Sequence, residues 1–172
     1  MDMSLFTSFD GRINRAKWWL GFVSLLVLSI VLYFIVGMFV GGSMISGMDP
    51  ANMGPDAIAS ITRSFAIVQA IMLVIIAYPA TALMKKRIND RDRPAWLVYV
   101  FWAPTVLSLF LSLTGLGYTM TDVGGISMPT PSGVSWIINL AGLAIGIWAL
   151  IELGILKGTE GSNQHGPDPL AA

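Results

Sequence analysis

"KWWLGFVSLLVLSIVLYFIVGMFV", residues 17 to 40, opens on a lysine and then carries no charge; the next charged residue is Asp49. A hydrocarbon core of about 30 Å takes roughly 20 helical residues at about 1.5 Å each, so this run can cross a bilayer as one helix. Three more charge-free gaps follow, from Arg63 to Lys85, Arg93 to Asp122 and Asp122 to Glu152. They predict helices near 17–40, 62–84, 95–117 and 134–156, with a short tail over 157–172. Barrel strands would show short alternating segments, whereas these runs are apolar in succession. The first apolar core, over twenty residues long, also exceeds the roughly 7–15 of a cleaved signal, so it is expected to be a retained helix. Helices 1 and 2 do not resemble helices 3 and 4, which gives an inverted-repeat transporter no support.

Composition agrees. Of 172 residues, 55% are apolar and 12% charged, well outside globular averages. The 10 basic residues balance the 10 acidic ones, so no global field favours nucleic acid, and none is expected as a partner. The absence of cysteine excludes disulfides and thiol catalysis, and the single histidine, His165, argues against an all-protein metal site. No cofactor and no metal are expected. The fold class is therefore an all-α membrane protein, a single domain of four transmembrane helices in a compact bundle whose chief partner is the lipid bilayer.

Arg12, Arg15 and Lys17 precede helix 1, Lys85, Lys86, Arg87, Arg91 and Arg93 lie between helices 2 and 3, and Lys157 follows helix 4. By the positive-inside rule both termini and the central loop are cytoplasmic. The opposite loops, near 41–61 and 118–133, carry Asp49, Asp56 and Asp122 and are rich in Gly, Pro, Ser, Met and Thr, so they read as solvated connectors. Trp18, Trp19, Trp96, Trp102 and Trp136 fall near helix ends, where indole rings favour the headgroup region.

"SFDGRINRAKWW", residues 8–19, reads as a turn at Asp10-Gly11 leading into helix 1, with Ser8 or Asp10 as cap. Arg12, Arg15 and Trp19 would then share a helical face, and Leu5, Phe6 and Phe9 would lie along the membrane interface. Pro79 and Pro104 are expected to kink helices 2 and 3, freeing the carbonyls of Ile75 and Val100. Small residues at Gly21, Gly142 and Gly146 suit close helix packing.

Together with "YPATALMKKRINDRDRPAW" and "GTEGSNQHGPDP", this stretch resembles the three signatures of domain-of-unknown-function family 805, small bacterial inner-membrane proteins. Phe9, Gly11, Arg12 and Arg15 match the first signature, Pro79, Arg87, Asp90 and Trp96 the second, and Asn163, Gly166, Pro167, Asp168 and Pro169 the third. Two positions depart: the family's usual histidine before the aspartate is Asn89, and its Ser-Gly before the tryptophan is Pro94-Ala95. The resemblance implies a bacterial inner-membrane location and no known activity.

All three signatures fall on the expected cytoplasmic side. Arg12, Arg15, Lys86 and Arg87 should therefore meet Asp90, Asp92, Glu152 and Asp168, because an unpaired ion near hydrocarbon costs several kcal/mol. Glu152, the one acidic residue inside an apolar run, is expected to contact Arg15 or Arg87. On composition the tail is a flexible end, whereas the resemblance implies a folded turn in which Asn163 and Asp168 supply hydrogen bonds; His165 reads as a solvated surface residue. Two uses of the cluster compete, a structural lock and a guanidinium site for anionic lipid headgroups or another phosphate. The expected role is a non-enzymatic accessory or anionic-lipid-interacting component. A membrane-protein partner or homo-oligomer stays open. The rival classes are a small transporter or channel and a membrane enzyme acting on lipid headgroups.

Overall fold

Asn14 starts the first long helix. Its side-chain oxygen accepts the N–H of Lys17 at 2.9 Å, satisfying a donor that the first helical turn leaves unpaired. In the computed structural model, which describes residues 3–46, 55–123 and 126–171, the elements are α1 (Ser4–Thr7), α2 (Arg15–Ser46), α3 (Pro55–Asp90), α4 (Leu97–Thr114), β1 (Tyr118–Val123), β2 (Ile126–Pro131) and α5 (Gly133–Ala149). A π-helical stretch, Leu150–Ile155, prolongs α5. Among the described residues the fold is all-α apart from one β-hairpin, and four helices are long and apolar enough to cross a membrane: Arg15–Val40, Ala59–Asp90, Leu97–Thr114 and Gly133–Ile155. This is the architecture of a multi-pass membrane protein. Large apolar side chains along these spans face outward, Phe34 at 68% and Val74 at 77% exposed, as lipid rather than water would require.

Several boundaries differ from the sequence expectation, each for a physical reason. Ser8 and Asp10 do not cap α2; Ser8 Oγ accepts the N–H of Asp10 in a local turn instead. Arg12 lies in the extended segment ahead of α2, so no helical face is shared with Arg15. α3 continues past 84 to Asp90, because the charges there are buried and paired rather than solvated. It ends in a six-residue C-terminal cap. Asp92 is left-handed at φ 52°, Arg93 N–H reaches Ile88 O at 3.0 Å, and Asp92 N–H reaches Asn89 O at 3.1 Å. The central connection shrinks to a few residues before α4. α3 and α4 remain helical through Pro79 and Pro104.

Within 118–133, expected as a loose connector, β1 and β2 pair antiparallel with Tyr118 opposite Pro131 and Val123 opposite Ile126. Threonines on both strands favour it: Thr121 and Thr130 hydroxyls lie 2.7 Å apart. Both strands of a two-stranded ribbon are edges, where Pro129 and Pro131 leave outward positions without an N–H. Of the connector expected near 41–61, residues 47–54, Asp49 included, lie outside the described residues, while 41–46 and 55–61 are helical in α2 and α3.

The chain divides into two compact units. The first comprises Met1–Ser29, Val74–Ala103 and Leu143–Ala172, and the second Ile30–Leu73 with Pro104–Gly142. In the first, Leu5, Ile13, Trp18, Leu25, Leu83, Ile88, Leu97, Val98 and Leu153 form the core. Leu5 and Trp18 are thus buried, not interfacial, and Trp18 stacks on Phe22 at 5.2 Å. Leu83 and Leu5 approach Gly21 so closely that a Cβ there would force Leu83 aside. In the second unit Pro104 packs on Gly142, 3.1 Å from where a Cβ would stand. Nothing comes within 4 Å of the same point at Gly146, so only Gly142 of the expected pair is used for close packing.

Candidate functional site: an arginine-capped helix end

The last turn of α3 places Arg87 and Asp90 three residues apart, and both are buried. A guanidinium there, unpaired, would cost several kcal/mol, so every donor direction matters. Arg87 Nε donates to Leu153 O at 2.7 Å, Nη1 to the Asp90 carboxylate and more loosely to Ile13 O at 3.4 Å, and Nη2 to Leu156 O. The second Asp90 oxygen accepts Arg12 Nε at 3.1 Å. Arg12 then uses Nη1 on Gly161 O (2.7 Å) and Gly166 O (3.2 Å), and Nη2 on Thr159 O (2.6 Å) and Oγ1 (3.1 Å). One carboxylate bridges two arginines, and the remaining fork positions are taken by the chain's own oxygens.

Those oxygens form a series. A helix leaves its last four carbonyls unpaired and carries partial negative charge at that end. Here five consecutive carbonyls, from Leu153 within the π-helical stretch to Lys157 just beyond it, each receive a side-chain donor. Leu153 O takes Arg87, Gly154 O takes Trp19 Nε1 (3.1 Å), and Ile155 O takes Arg15 Nη1 (3.0 Å). Leu156 O takes Arg87 again, and Lys157 O takes Arg91 Nη1 (2.6 Å). The basic motifs therefore cap the end of the fourth span.

Glu152 is buried and meets basic residues of the cluster, but not Arg15 or Arg87, the partners expected from the sequence. Its Oε1 accepts Arg91 Nε at 2.7 Å and Arg93 Nε at 3.1 Å. The extension of α3 to Asp90 and its left-handed cap bring Arg91 and Arg93 to Glu152, while Arg15 and Arg87 are held by carbonyls. Lys86 donates to Ser4 O and Phe9 packs edge-on against Tyr78 at 5.0 Å. Gly11, at φ 87°, adopts a left-handed turn that costs glycine little, and its carbonyl accepts Asn89 Nδ2–H at 3.2 Å. At the position where the resembling motif has histidine, Asn89 is a buried strut. Trp96 is 57% exposed, apart from the cluster.

The tail is ordered on these groups, which sets aside its compositional reading as a flexible end. Thr159 N–H donates to Asp90 O at 2.8 Å, and Asn163 Nδ2 to Asn89 O at 2.9 Å. Asn163 Oδ1 accepts the N–H of His165 at 2.8 Å. Asp168 accepts the N–H groups of Leu170 (2.9 Å) and Gly161 (3.1 Å). These backbone donors, Leu170 first, and the nearby Arg12 hold its carboxyl below the usual aspartate range. Gln164 Nε2 reaches Asp92 at 2.9 Å. Sequence reasoning missed Thr159, Trp19 as a carbonyl cap, and Gly158, where any Cβ would collide with the Asp90 carboxylate. The signal for Gly158 and Thr159 was only a Gly-Thr pair directly after Lys157.

Two cavities open on this unit. One of about 590 Å³ is bordered by Asn14, Arg15, Lys157, Glu160, Asp168 and Leu170, among others. The other, about 480 Å³, is bordered by Asp10, Lys85, Asn89, Arg93, Pro94 and His165, among others. Among the described residues no three His, Asp or Glu side chains gather as a metal ion would need.

The family described as "Protein of unknown function (DUF805)" matches residues 6–167. The chain belongs to that family. Among curated proteins and among solved structures, nothing matches it.

Proposed function

We propose that this DUF805 protein is a non-enzymatic component of the bacterial inner membrane that acts through phosphate-bearing lipid headgroups, anionic lipids among them, at its arginine-rich end. Nine of the ten basic residues fall in the first unit, with Arg63 the exception, and the positive-inside rule places that end in the cytoplasm with both termini. The observation that carries the headgroup reading is a division of labour among the cations. Arg12 and Arg87 are occupied by Asp90 and by backbone carbonyls, which makes them a lock. Arg15 has one protein hydrogen bond among the described residues, to Ile155 O, and the Lys157 ammonium has none. Arg15 is the first residue of the first span and Lys157 lies just beyond the last, so open donors sit where headgroup phosphates lie.

Native mass spectrometry of the purified full chain in mixed lipids tests this. Arg15→Ala combined with Lys157→Ala should remove most phospholipid adducts while lowering the unfolding temperature only slightly, since the one bond lost, Arg15 to Ile155 O, is exposed. Adducts indifferent to that double change would overturn the headgroup role. Because the chain has no cysteine, single-cysteine variants at Glu160 and Asp122, probed with an impermeant maleimide in spheroplasts, test the orientation cleanly. Labelling of the Glu160 site from outside would reverse it.

A further inference from the structure

We infer that the 590 Å³ cleft takes a headgroup carrying both a phosphate diester and a primary amine. The inference rests on the headgroup function proposed above and narrows its ligand. The cleft's volume falls within the roughly 300–1,000 Å³ of ordinary ligand pockets. Its lining includes two cations, Arg15 and Lys157. Arg15 and Lys157 keep open donors there, and the first turn of α2, residues Asn14 to Ala16, brings N–H groups that the helix cannot satisfy itself.

The same lining also carries charges of the opposite sign, Glu160 and Asp168. Glu160 is exposed, and its carboxylate has no hydrogen-bond or ion-pair partner among the described residues. Asp168 beside it is held ionised by the N–H groups of Leu170 and Gly161. The other charged pair on the cleft, Arg87 and Asp90, is closed on itself and on Arg12. A headgroup with negative charge alone would gain Arg15 and Lys157 but face Glu160 and Asp168 unscreened. An ammonium joined to the phosphate by a two-carbon link turns that repulsion into an ion pair, and its N–H groups give Glu160 hydrogen bonds that a quaternary ammonium cannot.

The test offers the delipidated full chain equal amounts of phosphatidylethanolamine, phosphatidylcholine and phosphatidylglycerol of matched acyl chains, read by native mass spectrometry. Phosphatidylethanolamine should be retained over the other two by roughly fivefold, the scale of one exposed ion pair. Glu160→Gln should erase that preference while leaving phosphatidylglycerol bound at least as well. Phosphatidylglycerol equal to or above phosphatidylethanolamine in the wild type, or a preference untouched by Glu160→Gln, overturns this inference and leaves the headgroup function standing. Binding of all three lipids indifferent to Arg15→Gln with Lys157→Gln overturns the parent function. A parallel arm adds soluble glycerophosphoethanolamine. Full competition assigns the cleft to the free amino-phosphate, and lack of competition assigns it to the lipid, the recognising chemistry being the same.

Discussion

The two units of the chain are held by different chemistry. In the first, buried arginines are fastened to one aspartate and to carbonyls at the end of the π-helical stretch. In the second, Pro104 rests on Gly142 and a hairpin is laced by exposed threonine hydroxyls. The contrast is one of dielectric. Where water is excluded, a guanidinium–carbonyl bond is strong and its loss leaves ions and dipoles stranded; where water competes, the same count of hydrogen bonds contributes little.

The sharpest way to break that contrast is Arg87→Ala. It strands Asp90 with one arginine and uncaps Leu153 O and Leu156 O, so the expected cost is about 3–5 kcal/mol, a large share of ordinary domain stability. Arg87→Lys keeps the charge but not the fork and should cost nearly as much. Detergent-solubilised yield and thermal unfolding measure both. A lysine variant with wild-type stability would mean that charge, not carbonyl capping, is what the position requires.

Next comes Gly158→Ala. A methyl there collides with the Asp90 carboxylate, so tail and helix must part by the width of a contact; about 1–3 kcal/mol is expected. Gly146→Ala, with open space around it, serves as the control and should be neutral or slightly stabilising for helix propensity.

How much of this was legible beforehand follows from what the letters encode. The four spans were plain, because lipid demands long apolar runs and the sequence supplies four. The gathering of Arg12, Arg87, Asp90, Asn163 and Asp168 followed from motif positions and the need to pair ions. The partners were not legible, since a carbonyl has no letter of its own: nothing in "ELGILKG" marks five oxygens as acceptors, four of them for arginine and one for Trp19. The end of α3 was misplaced for a related reason. Charges at Lys86 to Asp90 read as solvent-facing when their partners lie about 70 residues away, as the separations of 66 between Arg87 and Leu153 and 78 between Arg12 and Asp90 make clear. The hairpin was hidden by its Gly, Pro and Ser content, although the alternating threonines were there to be counted.

A smaller effect separates the tail from the lock. The folded Asp168 carboxyl lies below its unfolded value of about 3.9, so the ion favours the docked turn. That contribution is fully present above the unfolded value and is lost as pH falls through the lower folded one. Amide exchange at Gly161 and Leu170 should therefore accelerate only in that acid range, and Asp168→Asn should remove the pH step. A step that survives Asp168→Asn would overturn the assignment to that carboxyl.

The smallest effect is expected in the hairpin, and it makes the comparison quantitative. Thr130 takes part in cross-strand contacts with Thr119 and Thr121, the shortest of them 2.7 Å, yet all are exposed to water. Thr130→Val removes the hydroxyl from these pairs but keeps the β-branched shape that suits a strand. The change should cost about 0.2–1 kcal/mol, against several for one buried guanidinium. Thermal unfolding of the single variants and of Thr130→Val with Gly158→Ala would show whether the costs add, as they should for sites with no shared partner. A Thr130→Val loss as large as that of Arg87→Ala would mean that the hairpin is shielded from water, and the dielectric account of the two units would fail.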